Sequence, residues 1–256
     1  MFGFRRRRRA RLRAQPFPDA WVAAMDANVP YCRLLTPADR QELQGDIAVF
    51  LAEKRFEGCG GLEMTDEIRV TVAAQACLLL LHRENDDYPG LRSILVYPGV
   101  YSAPARRAGP GGHAVEAVQA RLGESWAQGA VVLAWDAVRR GAREVHDGHN
   151  VVLHEFAHQL DQENVYADGV PILPRTEMFK PWARILGREY AALVEQARRQ
   201  AHTDLDAYGA TNPAEFFAVV TEAFFEKPLD MRARHPELYE ELRAFYQQDP
   251  AQRMRG

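Results

Sequence analysis

Apolar positions recur at helical spacing through the first third of the chain. Thr36-Pro37-Ala38-Asp39 reads as an N-cap with proline at the first helical position. It predicts a helix to about Lys54, with Leu43, Ile47, Val49, Phe50 and Leu51 on its core face. A shorter helix over 19–28 precedes it, bracketed by Pro16, Pro18 and Pro30, and Gly58, Gly60 and Gly61 follow it. Thr65-Asp66 opens another, running along Ile68, Val72, Ala76 and Leu79 to about His82. The pattern then shortens to that of strands. Residues 93–98 and 130–135 are β-prone runs, with a flexible loop expected at 109–112. Helical spacing resumes from Val151 to about Gln162, from Trp182 to about Gln200, from Asn212-Pro213 onward, and over 237–246. This order predicts an α+β fold. A helical N-terminal region (16–90) packs on a compact region (91–256) built round a small sheet, the two forming one unit.

Composition narrows the class. The chain has 256 residues, 47% hydrophobic and 26% charged, which suits a globular protein and excludes fibrous or disordered ones. Cys32, Cys59 and Cys77 are widely spaced with no Cys-x-x-Cys pair, so neither a disulfide framework nor a thiolate metal site is expected, and a reducing cytoplasm is. No apolar run approaches the ~20 residues that span a bilayer, nor does one follow the N-terminal arginines as a secretory leader would require. Charge is uneven. Residues 1–13 hold seven arginines and no acid, so the other 243 residues carry −10 of the net −3. A flexible, solvated tail over 1–15 is expected, without a specific nucleic-acid or membrane partner. The acidic remainder would oppose nucleic acid at close range.

The chemistry is concentrated in His154-Glu155-Phe156-Ala157-His158. On a helix, residues four apart share a face, so both imidazoles can reach one zinc ion. Glu155 is rotated about 100° away; it is the base that takes a proton from attacking water. A catalytic zinc site takes a third protein ligand. The longer pattern with a third histidine fails, because Asp161 and Asn164 stand where its glycine and histidine would. Glu177, Glu215 and Glu222 compete for the place. Glu177 follows His158 by a spacing seen in thermolysin-like sites but sits among prolines, whereas Glu215 and Glu222 are seven apart on one helix face. Glu215 also fits a capping box with Asn212. Asp161 shares the face of His154 and suits an acceptor from a ligand imidazole. His146 and His149 read as loop residues.

Several stretches carry a resemblance: His154-Glu-Phe-Ala-His-Gln-Leu-Asp161, Ser125-Trp-Ala-Gln-Gly129, Asp206-Ala-Tyr208, Asn212-Pro-Ala-Glu-Phe-Phe-Ala-Val219 and Phe245-Tyr-Gln-Gln-Asp-Pro250. Together they resemble the Mlc titration factor A family of zinc peptidases over roughly 16–253. Residues 208–217 are also similar to the zinc-site segment of the anthrax lethal factor catalytic domain. The resemblance implies a zincin-type catalytic region, one Zn2+ held by His154, His158 and Glu215, Glu155 as base, and Tyr208 as the hydroxyl that steadies the oxyanion. It further implies aminopeptidase-like hydrolysis of a peptide or protein substrate, and a cytoplasmic protein that binds a transcription repressor of the Mlc type and relieves its control of sugar-transport genes. The alternative is a repressor-sequestering protein on a zincin scaffold with no enzymatic role. The strand at 130–135 is expected at an edge along the cleft.

Overall fold

Thr36 accepts a hydrogen bond from the Asp39 N–H at 3.1 Å, and Thr65 accepts one from Ile68 at 3.3 Å. Both helices therefore start where their caps place them. The computed structural model describes residues 2–83, 88–108, 114–121, 123–126, 129–164 and 168–254, with side chains described within 3–100 and from 129 onward. The loop expected at 109–112 lies outside the described residues.

The first half runs α1 (Phe2–Arg13), α2 (Asp19–Asn28), α3 (Pro37–Glu53), β1 (Arg55–Gly58), α4 (Asp66–Leu78), β2 (Ser93–Tyr97), β3 (Tyr101–Ala108) and β4 (Ala114–Arg121). It continues with β5 (Gly123–Trp126), β6 (Ala130–Ala134), α5 (Trp135–Arg143), α6 (Val151–Asp161), α7 (Phe179–Arg198), α8 (Pro213–Glu226), α9 (Pro228–Arg234), α10 (Pro236–Tyr246) and α11 (Pro250–Arg253). The fold is α+β and mostly helical. Its sheet has the order β1-β2-β6-β5, with the first three strands parallel and β5 antiparallel. β3 and β4 pair separately.

The expected edge position of 130–135 is not observed. β6 is paired on both sides, Val131 with Ile94 and with Ser125. Its residues 131–134 are buried, as a doubly paired strand requires. The sheet edge beside α6 is instead β5.

One apolar core runs from Met25 of α2 to Ala251 of α11. Phe50 of α3, Tyr88 and Phe156 of α6 form a ring cluster, with Tyr88 and Phe156 centroids 4.9 Å apart. The N-terminal helices thus grip α6 directly. On the other side, Phe217 of α8 packs on Trp182 and Phe245, and Thr221 shares a 2.7 Å hydrogen bond with the Tyr246 hydroxyl. Gln248 donates to the Leu78 carbonyl at 2.7 Å, tying the C-terminal segment to the end of α4.

The arginine run, expected as a flexible tail, is a helix docked on α3. Arg5, Arg9 and Arg13 recur every four residues and so share a face. Arg9 donates to both Glu53 oxygens at 2.9 and 2.7 Å, and Arg13 donates to Asp46 at 2.9 Å. Asp46 and Glu53 are seven apart, which puts both acids on the facing side of α3. Gly45 leaves room for the Arg13 stem; a Cβ there would stand 3.1 Å from Arg13 Cγ. Apolar area alone does not reveal this pairing, because the helix is held by ion pairs to α3. Among the described residues, no helix is long and apolar enough to cross a membrane.

Candidate metal centre

Asn150 fixes where α6 begins. Its side-chain oxygen accepts from the Val152 and Leu153 N–H groups at 3.1 and 3.0 Å. Its amide donates to Gln75 of α4 at 3.0 Å and to the Gly141 carbonyl at 3.2 Å. From there α6 turns Val152, Leu153, Phe156, Ala157 and Leu160 into the core. His154 and His158 are left on another face, with ring centroids 4.9 Å apart.

α8 crosses this face. Asn212 caps it by accepting the Glu215 N–H at 2.9 Å, but only half of a capping box forms. The Glu215 carboxylate turns to the histidines instead, its Oε2 lying 3.0 Å from His154 Nε2 and 3.3 Å from His158 Nε2. One ligand atom from each of these three residues lies within 4.8 Å of the others. Seven residues later on the same face, Glu222 Oε1 meets His154 Nδ1 at 2.7 Å. The other Glu222 oxygen accepts the Asn150 N–H at 2.5 Å. Of the three competing carboxylates, Glu215 joins the histidines directly and Glu222 orients one of them. Glu177 is exposed in the short turn Thr176–Met178 and belongs to neither group.

Charge distribution follows from this packing. Burial pushes the His154 imidazolium down, but bonds from Glu215 and Glu222 outweigh it and bring its pKa to about 10. Burial pushes Glu215 up, yet the two histidines hold it at about 2. Glu155 is buried and pushed up to about 7 by that burial, with His154 and His158 pulling the other way. The donor set suits a metal ion. Two imidazoles and one carboxylate are a zinc-hydrolase ligand set, and a tetrahedral ion with bonds of ~2.1 Å holds its ligand atoms about 3.4 Å apart. The observed 3.0 and 3.3 Å separations are close to that.

Tyr208 lies in the short helix Ala207–Ala210, which Asp206 caps by accepting the Tyr208 N–H at 2.8 Å. Its ring is 6.0 Å from that of His154 and 54% exposed, so it borders the histidines from the open side. His149 is a loop residue, 3.4 Å from Asp206. Asp161 does not accept from an imidazole; Glu222 has that place. It is fully buried and accepts the Gly169 N–H at 2.9 Å. Gly169 has φ +81°, and a Cβ there would land on the Pro213 carbonyl oxygen. Asp161 therefore clamps this loop against the start of α8. The roles of Glu222 and Asn150 escape a sequence reading that looks for ligands alone. The seven-residue step from Glu215 and the cap position before α6 were the available signals.

Comparison with known proteins gives the family. Residues 4–247 match the family described as glucose-regulated metallo-peptidase M90. An uncharacterized protein of Synechocystis sp. is 42% identical over 245 residues, covering 95% of this chain and 89% of the relative. Mlc titration factor A of Klebsiella pneumoniae (strain 342) is 34% identical over 232 residues, covering 89% and 86%. The protein of that name from Escherichia coli (strain K12) is 31% identical over 239 residues, covering 91% and 88%. The chain therefore belongs to the glucose-regulated metallo-peptidase M90 family, whose name implies a metal ion that His154, His158 and Glu215 could hold.

Proposed function

We propose that this chain is a cytoplasmic zinc peptidase of aminopeptidase type, with one zinc ion on His154, His158 and Glu215. The observation that carries the reading is the convergence of His154 Nε2, His158 Nε2 and Glu215 Oε2 beside a buried Glu155 on the same helix. A binding scaffold would need the histidines but not that carboxylate. When bound, zinc supplies a Lewis acid for the scissile carbonyl and makes water a nucleophile near neutral pH. The residues of the chain do the rest. Glu222 holds the His154 ring by its Nδ1 and keeps Nε2 turned inward. Glu155 takes the proton of the attacking water and returns it to the leaving amine. Tyr208 donates its phenol to the carbonyl oxygen as negative charge builds there. The outer edge of β5, last in the strand order, holds an extended peptide by main-chain hydrogen bonds. Glu155→Gln should keep the metal, measured by mass spectrometry of the native protein, and lose ~10²–10⁴-fold in peptide hydrolysis. Retained turnover would remove Glu155 from the reaction.

A second reading rests on the name of two relatives, Mlc titration factor A. Binding of an Mlc-type repressor is compatible with catalysis, and Glu155→Gln separates the two. A protein whose main role is sequestration would capture the repressor equally well with either residue.

A further inference from the structure

Docking α1 on α3 sorts six of its seven arginines into two sets. Arg5, Arg9 and Arg13 face Asp46 and Glu53. The same helical spacing turns Phe4, Arg7, Arg8 and Arg11 outward, at positions i, i+3, i+4 and i+7 of one face. Arg7, Arg8 and Arg11 are exposed, and the Phe4 side chain is 79% exposed. Arg8 still reaches the edge of α3, with its guanidinium 3.8 Å from Glu53. Arg7 and Arg11 extend beyond it. The outer face of α1 therefore combines an exposed phenylalanine with three arginines.

We propose that this face of α1 docks reversibly on an anionic phospholipid surface. Charge complementarity selects that occupant. The body of the protein is acidic, −10 outside residues 1–13. Positive charge is thus concentrated in α1, the segment that a negative plane attracts. A flat surface can meet the outer face of one helix, whereas nucleic acid wraps closer to the acidic remainder. Phe4 enters the headgroup boundary while the guanidiniums pair with lipid phosphates. Each arginine near such a surface gains roughly fivefold in partitioning, so the contact is modest and salt-sensitive. The expectation of no membrane partner came from a tail without a face; an ordered helix has one.

Co-sedimentation of the full chain with vesicles of phosphatidylcholine alone, or with about one third phosphatidylglycerol, tests this. The expected result is binding to the anionic vesicles only, weakening as salt rises. Arg7→Gln/Arg11→Gln should lower it roughly thirtyfold, and Phe4→Ser should lower it several-fold at any salt. All three positions are exposed, so the melting temperature should not move. Equal binding to both vesicles, no binding to either, or wild-type binding by the arginine variant would each overturn the proposal. So would tighter binding to random-sequence duplex DNA than to anionic vesicles at one salt concentration.

Discussion

Glu222 joins His154 to the first residue before its own helix: one carboxylate oxygen lies 2.7 Å from His154 Nδ1, the other 2.5 Å from the Asn150 nitrogen. The ring is thereby held in register with the start of α6, and α8 is pinned to α6 at a second place besides Glu215. Glu222→Gln removes the charge that favours one tautomer but leaves the volume. It should weaken metal binding ~10–100-fold, read by competition with a chelator, with unchanged helicity. Glu215→Gln should lose more, and Glu177→Gln nothing. Full metal affinity in the Glu215 variant would sink the ligand assignment.

Tyr208 is placed for a different effect. Its ring stands beside His154 at 6.0 Å, on the exposed side of the site. Removing its hydroxyl as Tyr208→Phe should leave metal content unchanged and cut kcat by tenfold to a thousandfold. An unaltered kcat would make it a packing residue only.

Local signals read well where one residue decides the outcome. Thr36, Thr65 and Asn212 each cap the helix their position indicated. The two histidines of α6 and the acids of α8 were visible because helical period fixes which face each takes. What was hidden depended on partners distant in the chain. β5 was missed because its pairing with β6, and not its own pattern, makes it a strand. The arginine helix is hidden because its acids are 33 to 48 residues away on α3. Spacing gives the face that Glu222 takes but not which nitrogen of His154 it meets, so in sequence it competes as a direct ligand.

The loop between α6 and α7 has a measurable part in ligand placement. Asp161 holds the Gly169 N–H at 2.9 Å, and Gly169 lies against Pro213, two residues before Glu215. Gly169→Ala combines a strained positive φ with a clash against backbone, and should destabilise the fold by ~1–3 kcal/mol. By displacing the start of α8 it should also lower metal affinity. Asp161→Asn, which keeps an acceptor for Gly169, should do neither to the same extent. If Gly169→Ala binds metal like the wild type, the loop does not set the position of Glu215.

The docking of α1 has a pH dependence of predictable sign. Bonds from Arg9 hold the Glu53 carboxyl at about 2, well below its unfolded value of ~4.3. The docked state therefore binds fewer protons than the undocked one. Its stabilisation is complete above the unfolded value and fades as pH falls toward 2. Hydrogen exchange of the amides in residues 2–13, corrected for intrinsic rate, should show protection at pH 6 that is lost progressively between about pH 4 and pH 2. Glu53→Gln should show the unprotected pattern already at neutral pH, because Arg9 is 7% exposed and would lose its charged partner. The expected cost is ~2 kcal/mol, a few degrees in melting temperature. Peptide hydrolysis by this variant should match the wild type, since among the described residues Glu53 bonds only to α1. Protection that survives both acid and the Glu53 variant would mean that contacts other than these ion pairs hold the helix on α3.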